Sequence, residues 1–373
     1  MRRPRAPDAR PLGMNRAPWF AIGLILSAGV LLLVTFVLSR KTAASENSAG
    51  HVLSAGNATI TVASRGPTPD VGQASVDEWV VRSAAIVRGY FGEFPAPVVT
   101  LRITTADGGA MGSGKTYGYP QPRIEVTMGQ HISLAALSDD WVLVHEMTHL
   151  SLPAIADEHN WLAEGVAVYV EGVARTQAGN LTEARLWEEY ATLMPKGLPP
   201  PGDRGLDRTH TWARAYWGGA LYCLIADVQI REKTKNRRGL QDALRAIARA
   251  GGGMSQEWPI ERILSVGDAA TGTTVLTDVY VAMKDHPYTP DLVVLWSDLG
   301  LRLGEDGMRF DETARLAAVR RAITRAPSAG RAHRQHLRSL APLFARIVVE
   351  WAPSHWSPDR FDLAPLGRCA GLE

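Results

Sequence analysis

Two histidines four residues apart, His145 and His149, enclose Glu146 in the stretch DDWVLVHEMTHL. On a helix, residues at i and i+4 lie about 40° apart around the axis, so the two rings project the same way. Imidazoles so placed can share one zinc ion, and a carboxylate beside the first can take a proton from water held there. Trp141, Val142, Leu143, Val144, Met147 and Leu150 fill most of the remainder. The pattern predicts a buried helix over residues 139–150, where polar side chains require partners.

Catalytic zinc takes three protein ligands and keeps a fourth position open. The helix supplies two, and a carboxylate on a following helix is a standard third. Glu164 fits best: it stands in the apolar frame of NWLAEGVAVYVEGVART, where an ionised side chain is costly without a cation. Asn160 is expected to cap that helix, and Gly165 to let it approach the histidine helix closely. Glu171 shares the Glu164 face and is expected to accept the free ring N–H of a histidine ligand. Zinc would acidify a bound water, Glu146 would take its proton during attack on a carbonyl, and Tyr216 in AYWGG is the candidate donor to the oxyanion. His131, His159 and His210 lie near these motifs but read as surface or core residues; His210, just before the Tyr216 segment, is the one that could approach substrate.

Other features bound the function. Among 373 residues, 40 lysines and arginines face 38 acids, so net charge is +2 and nothing global points to nucleic acid. Two cysteines, Cys223 and Cys369, are too few for a disulfide framework or a cysteine zinc site. Gly109, Gly114, Lys115 and Thr116 match the phosphate-loop pattern, but the following YGYPQP does not open a helix. A flexible glycine-rich loop beside the site is expected there, without nucleotide.

Along the chain, residues 1–17 are basic and 18–39 carry no charge, long enough to span a bilayer as a signal anchor. The excess of arginine before the span puts the N-terminus in the cytoplasm and the rest outside it, in the periplasm or at the cell surface. Residues 40–57 read as a linker, 58–195 as an α+β catalytic lobe, 196–326 as helical and 327–373 as a tail without an assigned role. Strands are expected around 59–64, 98–104 and 123–128, helices around 76–91 and 181–194, and one long buried helix from 211 to 233.

HEMTH followed by WLAEGVAVYVEG resembles the gluzincin metallopeptidases, in which the motif is completed by a glutamate on the next helix. YWGGALYCLIADVQIREKT is similar to the tyrosine segment of the aminopeptidase N and glycyl aminopeptidase families. The resemblance runs over about residues 90–325 and is strongest from 139 to 235. It implies His145, His149 and Glu164 as zinc ligands, Glu146 as base and Tyr216 as the oxyanion tyrosine, on a thermolysin-like lobe followed by an all-helical lobe. The chain departs from the families in two respects. Fourteen residues separate His149 from Glu164, fewer than in thermolysin, and the G-x-M-E-N stretch that holds a substrate amine is absent upstream, Glu125 being the only acid nearby. The expected function is a membrane-anchored zinc peptidase acting on peptides or proteins outside the cytoplasm, with a non-catalytic scaffold as the alternative. Neither endo- nor exo-cleavage follows from the residues.

Overall fold

Alternating apolar residues build a five-stranded sheet. The structure, a computed structural model, describes residues 50–326; the charge-free run 18–39 and the tail from 327 lie outside them. Among the described residues no helix is long and apolar enough to cross a membrane. Strands β1 (His51–Ala55) and β2 (Ala58–Arg65) form an antiparallel hairpin, helix α1 (Gln73–Phe91) follows, and β3 (Val98–Ala106), β4 (Met111–Tyr117) and β5 (Arg123–Gly129) complete the sheet in the order β1-β2-β3-β5-β4. β2, β3 and β5 run parallel, and β4 runs antiparallel to β5 at the edge. Ile60, Val62, Leu101, Ile103, Ile124 and Val126 are fully buried, while Arg102 and Glu125 point to the other face. Two sequence expectations change here. The linker expected over 40–57 contains β1, and the glycine-rich stretch expected as a loop contains β4.

A short helix α2 (Leu134–Ser138) leads to the histidine helix α3 (Val142–His149), which is shorter than residues 139–150. Asp140 ends it at the N-terminal side: its carboxylate accepts from the amides of Val142 (3.1 Å) and Leu143 (3.2 Å), two donors that a first turn leaves without partners. It also accepts from the Trp79 indole of α1 at 2.9 Å, tying the helix to the core. α4 (Asn160–Gln177) follows; Asn160 is its first residue, and no side chain caps it. α5 (Glu183–Leu193) is capped by Thr182 and buries Leu186, Trp187 and Tyr190.

The helix expected from 211 to 233 is present over residues 212–234, with one irregular turn inside it. Arg214–Gly218 form a turn of π-helix, and α6 (Gly219–Thr234) continues from it. Gly165 of α4 meets Gly219 of α6: a β-carbon on either would fall on the other's backbone. The close approach foreseen for Gly165 is therefore made to α6 and not to the histidine helix. Helices α7 (Leu240–Arg249), α8 (Ile260–Thr271), α9 (Val275–Met283) and α10 (Leu292–Leu299) precede strands β6 (Leu301–Gly304) and β7 (Gly307–Phe310), and α11 (Ala317–Thr324) is the last described helix. The C-terminal part is thus not all-helical: β6 and β7 make an antiparallel hairpin across residues 305 and 306. Cys223 is fully buried in α6, a small core residue.

Candidate metal centre

α3 and α4 bring three side chains to one point. The Nε2 atoms of His145 and His149 are 3.2 Å apart, and Glu164 Oε2 lies 3.4 Å from the first and 3.6 Å from the second. Ligands about 2.0–2.1 Å from a tetrahedral zinc would be separated by about 3.3 Å, so the triangle has the size a zinc ion requires. Glu164 Oε2 is buried without a hydrogen-bond partner, which is the state of a carboxylate oxygen built for a cation. Among the described residues, this is the one group of three or more histidine, cysteine or acidic side chains arranged to hold a metal.

The electrostatics keep the donors open. Burial, reinforced by the neighbouring His145 ring and opposed by Glu164, brings the His149 imidazole down to about 4. It is therefore neutral, with a lone pair available. Burial works against ionisation of Glu164, but the approach of the His145 and His149 rings and of the Tyr216 phenol outweighs it and holds the carboxyl below its ordinary range.

Glu146 is buried on the same helix. Its carboxyl is raised chiefly by burial, with Thr116 and His145 opposing and Glu164 reinforcing the shift. The direction suits a base that must hold a proton near neutral pH. Thr116 Oγ1 donates to Glu146 and lies 2.6 Å from Oε2 and 2.9 Å from its backbone carbonyl. Gly114, two residues earlier on β4, leaves the space that the glutamate fills.

Tyr216 sits in the π turn with its ring parallel to that of His145, centroids 6.1 Å apart, and its hydroxyl reaches Glu164. Burial and the Glu164 charge push the phenol well up, so it stays a donor. Two residues earlier, Arg214 is fully buried against Asp203 (2.8 Å) and donates to the Gly197 carbonyl, fixing the turn that presents the tyrosine. Half-exposed Trp141 meets His145 edge-on, and exposed Trp212 stacks on Tyr216 at 5.3 Å.

Glu171 takes another place. It is buried, but it accepts from Arg175 one turn on (2.7 Å), and His145 Nδ1 has no hydrogen-bond partner. The expected contact to a histidine ring is not made because Arg175 competes for the carboxylate from the same helix. Arg175 also donates to the Asp139 carbonyl (2.9 Å) and so ties α4 to the segment entering α3. Burial, opposed mainly by Arg175, still raises the Glu171 carboxyl to about 7.

The remaining histidines lie outside the triangle. His131 pairs with Asp70 (2.8 Å) and His159 with Asp207 (2.9 Å). His210 is exposed on the rim of a cavity of about 300 Å³ shared with Asn160, Trp161 and Ala215, next to Tyr216. Glu125 is taken up by Arg102 (3.2 Å) and Arg123 (2.8 Å) on the sheet face away from Thr116. Gly114, Lys115 and Thr116 of the phosphate-loop match lie within a strand, with the threonine turned to Glu146. The glycine-rich stretch carrying Gly114 and Thr116 was expected beside the site and lies there, as a strand and not a loop; its contacts with Glu146, and the places of Trp141 and Trp212, were not read from the sequence.

No family model matches the chain, and no curated protein matches it in sequence. Solved structures match its fold. An aminopeptidase N family protein from Idiomarina loihiensis superposes with a TM-score of 0.53 at 12% identity, over 72% of this chain and 53% of that one. An M1 zinc metallopeptidase from Deinococcus radiodurans gives 0.43 at 16%, over 64% and 51%, and yeast LTA4 hydrolase 0.44 at 12%, over 65% and 40%. The chain spans about half the length, or less, of these structures. At such identities the likeness concerns architecture alone, and on that level the described residues share the fold of the Idiomarina aminopeptidase N family protein.

Proposed function

We propose that this chain is a zinc-dependent peptidase with His145, His149 and Glu164 as ligands. The observation that carries the reading is the triangle of donor atoms, 3.2–3.6 Å on each side, with a buried glutamate next in sequence to the first ligand. Zinc, when bound, supplies a Lewis acid and an acidified water. Glu146 accepts the proton released as the peptide carbonyl is attacked and returns it to the departing amine. Tyr216 keeps its proton and donates a hydrogen bond to the oxygen that gains charge, an interaction stronger in the transition state than before it. Trp141 and Trp212 flank the reacting centre through His145 and Tyr216.

The likeness in fold to an aminopeptidase N family protein supports a peptide substrate. The uncharged run 18–39, preceded by five arginines, supports a membrane anchor with the catalytic part outside the cytoplasm. The test is incubation of the detergent-solubilised full chain with a mixed peptide pool, half with blocked N-termini, read by mass spectrometry. Wild type is expected to cut and Glu146→Gln to lose about 10²–10⁴-fold in rate with zinc retained. Equal cutting by both proteins would remove Glu146 as the base, and no cutting by either would favour a non-catalytic scaffold.

A further inference from the structure

Glu146 is held from outside its own helix. β4 lies at the sheet edge over α3, and in register with β5 its residues Gly114 and Thr116 share one face, opposite Val126 and Ile124, while Lys115 is paired with Glu125 on the other. On the first face both residues meet Glu146. A β-carbon at position 114 would lie 2.5 Å from Glu146 Cγ and 2.7 Å from Oε1. Backbone cannot yield that much room, so a side chain there would displace the carboxylate. Thr116 is buried, and its single hydroxyl proton faces two acceptors of one residue, Oε2 at 2.6 Å and the carbonyl at 2.9 Å. The shorter, charge-assisted contact takes it.

We propose that Thr116 and Gly114 are positioning residues for Glu146, Thr116 by hydrogen bonding and Gly114 by clearance. The assignment rests on the peptidase reading for its kinetic consequence but not for its geometry. The experiment takes the full chain as wild type, Thr116→Val, Thr116→Ser and Gly114→Ala. It reads zinc content, kcat and KM separately on a peptide the wild type cleaves, and the Glu146 carboxylate position in zinc-bound crystal structures. Thr116→Val is expected to hold one zinc with unchanged KM and to lose about tenfold or more in kcat, within what a general base contributes. Thr116→Ser should recover most of that loss, and Gly114→Ala should move the carboxylate off residue 116. Wild-type kcat in Thr116→Val, or a Thr116→Ser variant as slow as Thr116→Val, overturns the role of the hydroxyl. A carboxylate unmoved in both Thr116→Val and Gly114→Ala overturns the proposal even if no peptide is ever cleaved, whereas silent wild type with a displaced carboxylate counts against the peptidase reading alone.

Discussion

Two carboxylates of the helix pair α4 and α6, Asp227 buried and Glu164 with one oxygen buried, differ in what surrounds them. Asp227 of α6 is complete: it accepts from Arg231 (2.8 Å) and the Leu240 amide (2.8 Å) on one oxygen and from the Tyr169 hydroxyl of α4 (2.8 Å) on the other. Glu164 of α4 has an oxygen with no donor, directed at two imidazole nitrogens. The first carboxylate needs nothing further and acts as a joint between helices. The second is short of positive charge, which a divalent cation would supply. Burial of an acid alone does not separate structure from chemistry; the completeness of its partners does.

The contrast can be broken most strongly at Asp227. Asp227→Asn leaves Arg231 buried without its counter-charge and is expected to cost about 3–5 kcal/mol in urea denaturation while zinc content stays at one per chain. A comparable loss of zinc would mean the two clusters are one unit.

Next in size is the pH response of the metal-free protein. His149 stays neutral in the fold down to about 4 but takes its proton near 6.5 when unfolded. The folded state therefore excludes a proton that the unfolded state binds, and stability complete above 6.5 is lost as pH falls to about 4. At 1.36 kcal/mol per unit this is roughly 3 kcal/mol, measured by denaturation at pH 7 and pH 4. His149→Gln should flatten the window, and an equal slope in that variant would place the effect elsewhere.

The smallest expected effect is at the close approach of the two helices. Gly165→Ala puts a methyl onto the Gly219 backbone and should cost about 1–3 kcal/mol, with some loss of zinc affinity because Glu164 is the adjacent residue. Unchanged stability would show that α4 and α6 separate freely.

Much of this centre was legible in the sequence, and the reasons differ from residue to residue. His145, Glu146 and His149 are fixed relative to one another by helical period, which is local. Glu164 could be read because an acid in an apolar helical frame is anomalous. Glu171 was misassigned because its nearest competitor, Arg175, lies at i+4 and is as well placed as any histidine. The partner of Gly165, the support of Glu146 by β4 and the π turn before Gly219 depend on segments far apart in the chain, and no period or spacing encodes those meetings. β4 itself was obscured because Gly112 and Gly114 are poor strand formers; Gly112 falls in a register shift against β5, and Gly114 pairs with Val126 and leaves the space that Glu146 fills. The β6–β7 hairpin escaped notice because four residues per strand leave too short a run to alternate visibly.

The most direct test of the central claim is zinc titration of the metal-free full chain, wild type beside Glu164→Gln, followed by calorimetry and by thermal melting. Wild type is expected to bind one zinc per chain and to gain about 4 kcal/mol at a thousandfold excess over Kd, while Glu164→Gln gains nothing and keeps its metal-free melting point. A wild type that binds no zinc, or a Glu164→Gln chain that binds it as well as wild type, would contradict the assignment of this triangle as a metal centre.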